Sequence, residues 1–500
     1  VLKFPSLGKI TLLLILVVSF CLPVTGIASD KLDITGFIES KNRLTIEDAD
    51  MEFNFVETIF GMRFSAFPAD KVSLIGGFDL IAIPVDERLD DDRMIDIEQQ
   101  QDRSYTDPVR VQLDEAYISI NGLGLKNLDV KLGKQRISWG TGDQFNPTDN
   151  LNPDDLHDPL DFGEKVPSLA AQLIYYAGPV TLTAVVLPLF DPVLLPETDI
   201  RAVFEKRFDT MASEFEIDTG NRSLDSVVNS LMLDAIQGAE IGDISVVSKL
   251  PDRNFENARF AFKAQGAVGQ VDMSASYAYV RDDFGVPSKV NITVDPFATG
   301  TKIIDKVNLE VTQKFPRTHV IGADFTTSIP VLDIGFWGEA AYFIPKPMDT
   351  EYFLDTGSVN NILSSIGNEN VDNGFVIAKD EPTRDHYIKA VSGIDYTFPG
   401  AWYVNMQYIR GLPNDNTAET VDDYAFGGFD KPFFHDTIKP RIFSGVCFQD
   451  QSWVLYPQVF IYPMDSLEVH VGAFLVFGEV DTKFGGFGDD ILFARFKLSF

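Results

Sequence analysis

Carboxylates and cations gather most densely in two neighbouring stretches, Leu113-Asp114-Glu115-Ala116-Tyr117 and Gly133-Lys134-Gln135-Arg136-Ile137-Ser138-Trp139-Gly140. A Gly-rich turn, Asn121-Gly122-Leu123-Gly124, lies between them and makes the two stretches the arms of a hairpin. Residues facing each other on such arms interact directly, so Asp114 or Glu115 is placed to pair with Lys134 or Arg136. Such a pair either steadies a rim or marks a binding site. The chain continues as Asn146-Pro147-Thr148-Asp149-Asn150-Leu151-Asn152-Pro153-Asp154-Asp155. Its Asn-Pro and Pro-Asp steps build fixed turns rather than a slack loop.

Other chemistry has little support. The five histidines, His157, His319, His386, His435 and His470, form no spaced pair of the kind that holds zinc. No Gly-x-Ser-x-Gly elbow is present, so no enzyme is expected. Acidic runs at Asp90-Asp91-Asp92 and over residues 149–161 offer oxygen ligands, but neither has the spacing of a calcium loop. Solvated loop charge is the expectation, with no metal and no cofactor. Cys21 lies in the amino-terminal segment and leaves Cys447 alone, which excludes a cysteine metal site and an internal disulfide.

The elements that must position these residues are alternating segments. In the final stretch, Leu492, Ala494, Phe496, Leu498 and Phe500 are apolar, and Arg495, Lys497 and Ser499 lie between them. A period of two places the sets on opposite faces of a strand. The pattern repeats in hairpins: residues 53–67 with 72–85, 109–120 with 128–139, 169–177 with 180–190, and 257–268 with 271–282. Further pairs are 306–328 with 332–344, 386–398 with 401–410, 424–434 with 439–448, and 453–462 with 467–477, while 32–43 forms a first strand with Glu39, Lys41 and Arg43 on one face. Tight turns alternate with long polar connections at 87–108, 140–168, 191–256, 283–305, 345–385 and 411–423. Short turns at one end and long loops at the other are the asymmetry of a membrane barrel; a sandwich has no reason to sort loops by parity. The expected fold is all-β: a closed antiparallel transmembrane β-barrel of about 18 strands, 16 being the even alternative.

Composition agrees. The chain of 500 residues is 45% hydrophobic, has 41 Phe and 15 Tyr, and past its amino terminus carries no apolar run long enough for a spanning helix. A net charge of −33 excludes nucleic acid as a partner and suits acidic external loops bridged by divalent cations to lipopolysaccharide. Lys3 and Lys9, then an apolar run from Ile10 to Phe20 and small residues to Ser29, read as a secretory signal peptide over 1–29, with the barrel over 30–500. In the loop over 191–256, apolar residues recur at helical spacing in 199–215 and 223–236. Two short amphipathic helices are expected there, as a constriction folded into the pore or a lid on its rim.

Alternation also assigns faces. Arg259, Lys263, Glu468, His470, Arg495 and Lys497 fall on the polar side and are the pore-lining candidates; the basic ones would favour anions, unless neighbouring carboxylates pair them. Glu115, Gln135, Arg136 and Trp139 are motif and rim candidates. Trp139 is expected near the external membrane boundary, and a bulge near Gly133 is expected to turn Lys134 and Arg136 inward.

These stretches carry a resemblance. A Leu-x-Glu-Ala-Tyr strand, then Gly-Lys-Gln-x-x-x-Trp-Gly and an Asn-Pro-x-Asp-x-x-Asn-Pro loop, resembles a group of porin-like proteobacterial outer-membrane proteins defined only as a domain of unknown function. The carboxy-terminal stretch is similar too, including Tyr456-Pro457, Val471-Gly472-Ala473 and the final Phe500. The resemblance implies outer-membrane localisation in a Gram-negative bacterium, a barrel of 18 or so strands, and passive transport of small solutes, hydrophobic molecules among them. The terminal strand ending in Phe500 is the expected signal to the barrel-assembly machinery. Alternative expectations are a closed-pore structural or adhesion protein, or an outer-membrane lipid hydrolase.

Overall fold

The computed structural model describes residues 31–47, 50–85, 101, 108–158, 160–195, 240–296, 304–330, 332–354, 375–380, 385–479, 482–487 and 490–500. The expected signal peptide over 1–29, Asp90-Asp91-Asp92 and the two segments of the 191–256 loop expected to be helical lie outside the described residues. Among the described residues helix is limited to short turns, Phe255–Asn257 and Gly485–Phe487 among them.

Strands are numbered along the chain. They are β1 (Leu32–Glu47), β2 (Asp50–Ala69), β3 (Val72–Val85), β4 (Val109–Ile120), β5 (Leu128–Gln135), β6 (Ser168–Ala177), β7 (Val180–Leu187) and β8 (Glu240–Lys249). Next come β9 (Arg259–Val268), β10 (Val271–Arg281), β11 (Val286–Pro296), β12 (Ile304–Lys314), β13 (Arg317–Ile329), β14 (Ile334–Pro345), β15 (Thr350–Leu354) and β16 (Phe375–Asp380). The last are β17 (Tyr387–Phe398), β18 (Trp402–Arg410), β19 (Asp423–Asp430), β20 (Ile438–Cys447), β21 (Trp453–Met464), β22 (Leu467–Phe477) and β23 (Asp490–Ser499).

All but β8, β11, β12, β15 and β16 form one 18-stranded antiparallel sheet. It closes on itself where β1 pairs with β23, from Ile46 opposite Asp490 to Phe37 opposite Ser499. Gly36 and Phe500 extend the seam by exchanging backbone hydrogen bonds of 2.8 and 2.9 Å. Closure leaves no strand edge along this seam.

The wall is inside-out relative to a water-soluble protein. In β18, Trp402, Met406 and Tyr408 are exposed, whereas Asn405, Gln407 and Ile409 are buried. In β9, Phe260 and Phe262 are exposed, whereas Arg259 and Ala261 are buried. In β17 the exposed set includes Ile388 and Ile394, and Lys389 is buried. A sheet that turns its greasy set outward and folds its charges inward is solvated by acyl chains. The chain is therefore an outer-membrane β-barrel.

The long connections are more ordered than their polarity suggested. They build a second sheet in the order β16-β15-β11-β12-β8. Its β11–β12 hairpin is antiparallel, but β8 joins β12 and β15 joins β11 in parallel. Alternate residues Val290, Ile292, Val307, Leu309 and Val311 are buried on it. The expected single strand over 306–328 is thereby corrected. Phe315-Pro316 divides it, and the proline, with no N–H to give a ladder, ends β12 before the chain re-enters the barrel at Arg317 as β13.

Met406, near the middle of β18, is 58% exposed on the lipid face. Met406→Arg is expected to destabilise the barrel by about 2–4 kcal/mol, read from urea unfolding in lipid vesicles.

Candidate functional site: a loop across the lumen

Past Gln135 the chain leaves the wall and enters the barrel, returning at Ser168. Asn152 fixes the two legs of this loop. Its carboxamide oxygen accepts from Ile137 N at 2.7 Å, and its nitrogen donates to Gln135 O at 3.1 Å and Val166 O at 2.9 Å. The pull carries Trp139 inward, into an apolar cluster with Leu151, Val185, Val280 and Phe343. The expectation of Trp139 at the external lipid boundary is corrected accordingly. The expected bulge near Gly133 is also absent: register runs unbroken through it, and Gly133 takes φ 135° instead.

Four groups of contacts pin the loop to different parts of the wall. On β14, the buried Glu339 carboxylate accepts from Thr141 N (2.8 Å), Gly142 N (3.1 Å), Thr148 N (2.6 Å) and Thr148 Oγ1 (2.8 Å). Gly140 makes this possible. Its φ is 92°, and a Cβ would lie 2.3 Å from Glu339 Oε2. On β19, Phe426 packs against Phe145 at a ring distance of 5.7 Å, and Phe162 meets Phe474 of β22 at 6.0 Å. Across the closing seam, Asp158 lies 3.5 Å from Lys41, 3.5 Å from Arg43 and 3.0 Å from Arg495, and Asp161 pairs with Lys41 at 2.8 Å and with Arg495. On β2 and β4, His157 lies edge-on to Phe55 and 3.4 Å from Arg110. The loop thus crosses the lumen rather than lining it.

Cavities border it on both sides, and two of them share Gln144. The upper one, toward the long loops, is bordered by Asp149, Asp154, Lys165, Arg259, Asp283 and Lys389. The lower one is bordered by Asp161, Tyr403, Arg441, Tyr456, Phe460, His470 and Arg495.

The sequence candidates divide between these places. Arg259 is fully buried, donating to Leu151 O at 3.1 Å and Leu189 O at 3.0 Å, so it fastens loops. Lys263 lies 3.9 Å from Asp324. His470 stacks on Phe460 and bonds Gln458 at 2.9 Å. Arg495 is held by the loop carboxylates. Glu468 and Lys497 face each other nearer the short turns, where Lys497 lies 3.9 Å from Glu39. At the motif, Arg136 pairs with Asp114 at 2.7 Å and its backbone N–H donates to Glu115 Oε1 at 2.7 Å, while buried Gln135 donates to Ala170 O at 3.0 Å. The carboxylate–cation pairing expected there is present. The acidic run over 149–161 is corrected: Asp158 and Asp161 face cations, not solvent. Glu339 was missed, because one acid in an alternating strand carries no signal of its four donors. Lys41 and Arg43 were legible as one face, but not their partners 115–120 residues further along the chain.

Charge in the loop is set by burial. Burial pushes the Asp149 carboxyl up to about 7, against the opposing pull of Lys165, and its Oδ1 has no hydrogen-bond partner. Burial, with Arg110 beside it, pushes His157 down to about 4 and keeps it neutral. Burial works against ionisation of Asp161, yet Lys41 and Arg495 outweigh it and hold this carboxyl well below the usual range.

Two outcomes follow from this geometry. Glu339→Ala strands buried loop amides and is expected to cost about 1–3 kcal/mol, with faster amide exchange at Thr141, Gly142 and Thr148. Asp149 binds its proton more tightly folded than unfolded. Its contribution is therefore complete below the ordinary carboxyl value and is lost as pH rises through about 7. Urea unfolding between pH 4 and pH 8 should show wild type losing stability relative to Asp149→Asn as pH rises.

No family model matches the sequence, and no curated protein is significantly similar to it. Among solved structures, OccAB3 of Acinetobacter baumannii matches over 94% of this chain and 99% of that one, at 8% identity and a TM-score of 0.45. OpdK of Pseudomonas aeruginosa, in a structure with vanillate, matches over 94% and 97%, at 10% identity and 0.46. A mutant Rh. blastica porin matches over 94% and 100%, at 11% identity and 0.33. At these identities and scores the likeness carries no weight of its own; the closed, inside-out wall is what makes this chain an outer-membrane β-barrel.

Proposed function

We propose that this protein is a passive outer-membrane channel for small solutes, with residues 140–166 as its constriction. The observation that carries the reading is a pinned loop that crosses the lumen and borders two cavities at Gln144. A wall that served only as an anchor would gain nothing from a shaped interior. The lining narrows the solute class. Phe162, Phe443, Tyr456 and Phe460 border the lower cavity together with Asp161, Asn405, Arg441 and Arg495, so aromatic faces stand beside charged and amide side chains. Solutes with an apolar body and a polar end fit both faces, which extends the passage to hydrophobic molecules.

The basic candidates do not argue for strong anion preference. Arg495, Lys41 and Arg43 are offset by Asp158 and Asp161, and Arg259 is spent on carbonyls. The density of pins also favours a second reading, a closed pore in a structural protein. Recording from planar bilayers separates the two. Steady single-channel conductance by the folded, heat-modifiable barrel is expected; none would sink the channel reading. In a salt gradient, Asp158→Asn with Asp161→Asn should raise conductance and shift the reversal potential toward anions, because three wall cations lose their partners. An unchanged potential would remove the loop from the conducting path.

A further inference from the structure

The wall between β4 and β5 is incomplete. Their ladder runs only from Ile120 opposite Val130 to Ala116 opposite Lys134, although β4 stays paired with β3 as far as Val109 opposite Ala82. Among the described residues nothing pairs with residues 109–115 on the β5 side. A register shift opposite Gly76 and Phe78 sets a bulge at Asp114 and Glu115, where the two strands part.

Side chains stand where ladder rungs would be. Glu115 Oε1 accepts from Arg136 N at 2.7 Å, and Lys134 Nζ donates to Leu113 O at 2.5 Å. Asn152 takes the N–H of Ile137. Outside the gap, Val109, Val111 and Leu113 are each at least half exposed, so β4 keeps its lipid face beyond the point where its neighbour leaves. Unpaired backbone is tolerated at membrane depth only where it is buried in protein or borders a cavity. Side-chain rungs also part more readily than a continuous ladder, since no run of adjacent bonds must break together.

We propose that this seam is a lateral portal, through which a small amphipathic solute passes between the lumen and the outer leaflet. The inference rests on the channel reading and adds a second route to it. An apolar body matches Leu113 and Val111 outside, and a polar head can exchange with the Glu115–Arg136 rungs at the threshold. A fully hydrophilic solute gains nothing from a door onto acyl chains.

The test joins the two sides of the seam. Leu113→Cys and Ser138→Cys, in a Cys447→Ala background, are bridged by a reductant-cleavable bismaleimide in the refolded barrel over 30–500, which lacks Cys21. The probe is a dansylated undecyl sulfonate, whose permanent charge keeps it from crossing lipid unaided. Transfer into proteoliposomes and single-channel conductance are read on the same preparation. Bridging should cut probe transfer at least fivefold, reductant should restore it, and conductance should stay unchanged. Transfer that ignores the bridge, in a barrel that conducts, overturns the portal and leaves the channel standing. Equal loss of transfer and conductance overturns it too, because the bridge then acts on the common lumen. Absence of both in the unbridged protein overturns the channel reading itself.

Discussion

A backbone amide facing acyl chains has no water to fall back on, and the cost of leaving it bare governs how this chain is built. Eighteen strands are drawn into one closed sheet because an open one would leave two whole edges in lipid. Closure in turn spends the apolar side chains on the outer surface. What remains for the interior is polar, and it has to be satisfied there. The barrel does this with a polar network between wall and loop, in which an aromatic cluster occupies one side.

The loop over 140–166 takes the place of a core. Glu339 gives four loop donors one acceptor, and Asn152 holds the two legs together. A second layer repeats the device at the long-loop end. There Lys389 donates to Leu412 O and Pro413 O, while Lys483 pairs with Asp415 and donates to Thr420 O. Buried Lys389 is committed to backbone carbonyls, and half-buried Lys483 to the buried Asp415 carboxylate. The wall leaves little of its inward charge unpaired, and the shape of the lumen follows from which partners these groups choose.

Much of the wall was legible in the sequence, for a local reason. Two-residue alternation and the parity of turn lengths depend only on near neighbours, and both survive in Leu467–Phe477 or Trp402–Arg410 without knowledge of the rest. The pairing of Arg136 with Asp114 was legible for the same reason, since one hairpin holds both. The remainder depends on meetings that no local pattern records. Asp161 and Arg495 are separated by 334 positions. The parallel contacts of β8 with β12 and of β15 with β11 join segments from different connections, so polar composition concealed them. Trp139 had the composition of a boundary residue; only the clamp on Ile137 by Asn152, fifteen positions further along the chain, sends the indole inward.

The register at the closing seam ties the loop to the joining of the two ends of the wall. Lys41 stands directly opposite Arg495 there. Two like charges facing each other across adjacent strands repel, and neither can turn away to bulk water inside the nascent cylinder. Carboxylates at 158 and 161 reverse the sign of that meeting. Without the middle of the chain between them, the first and last strands would meet as like charges, so the closure of the wall and the seating of the loop depend on each other.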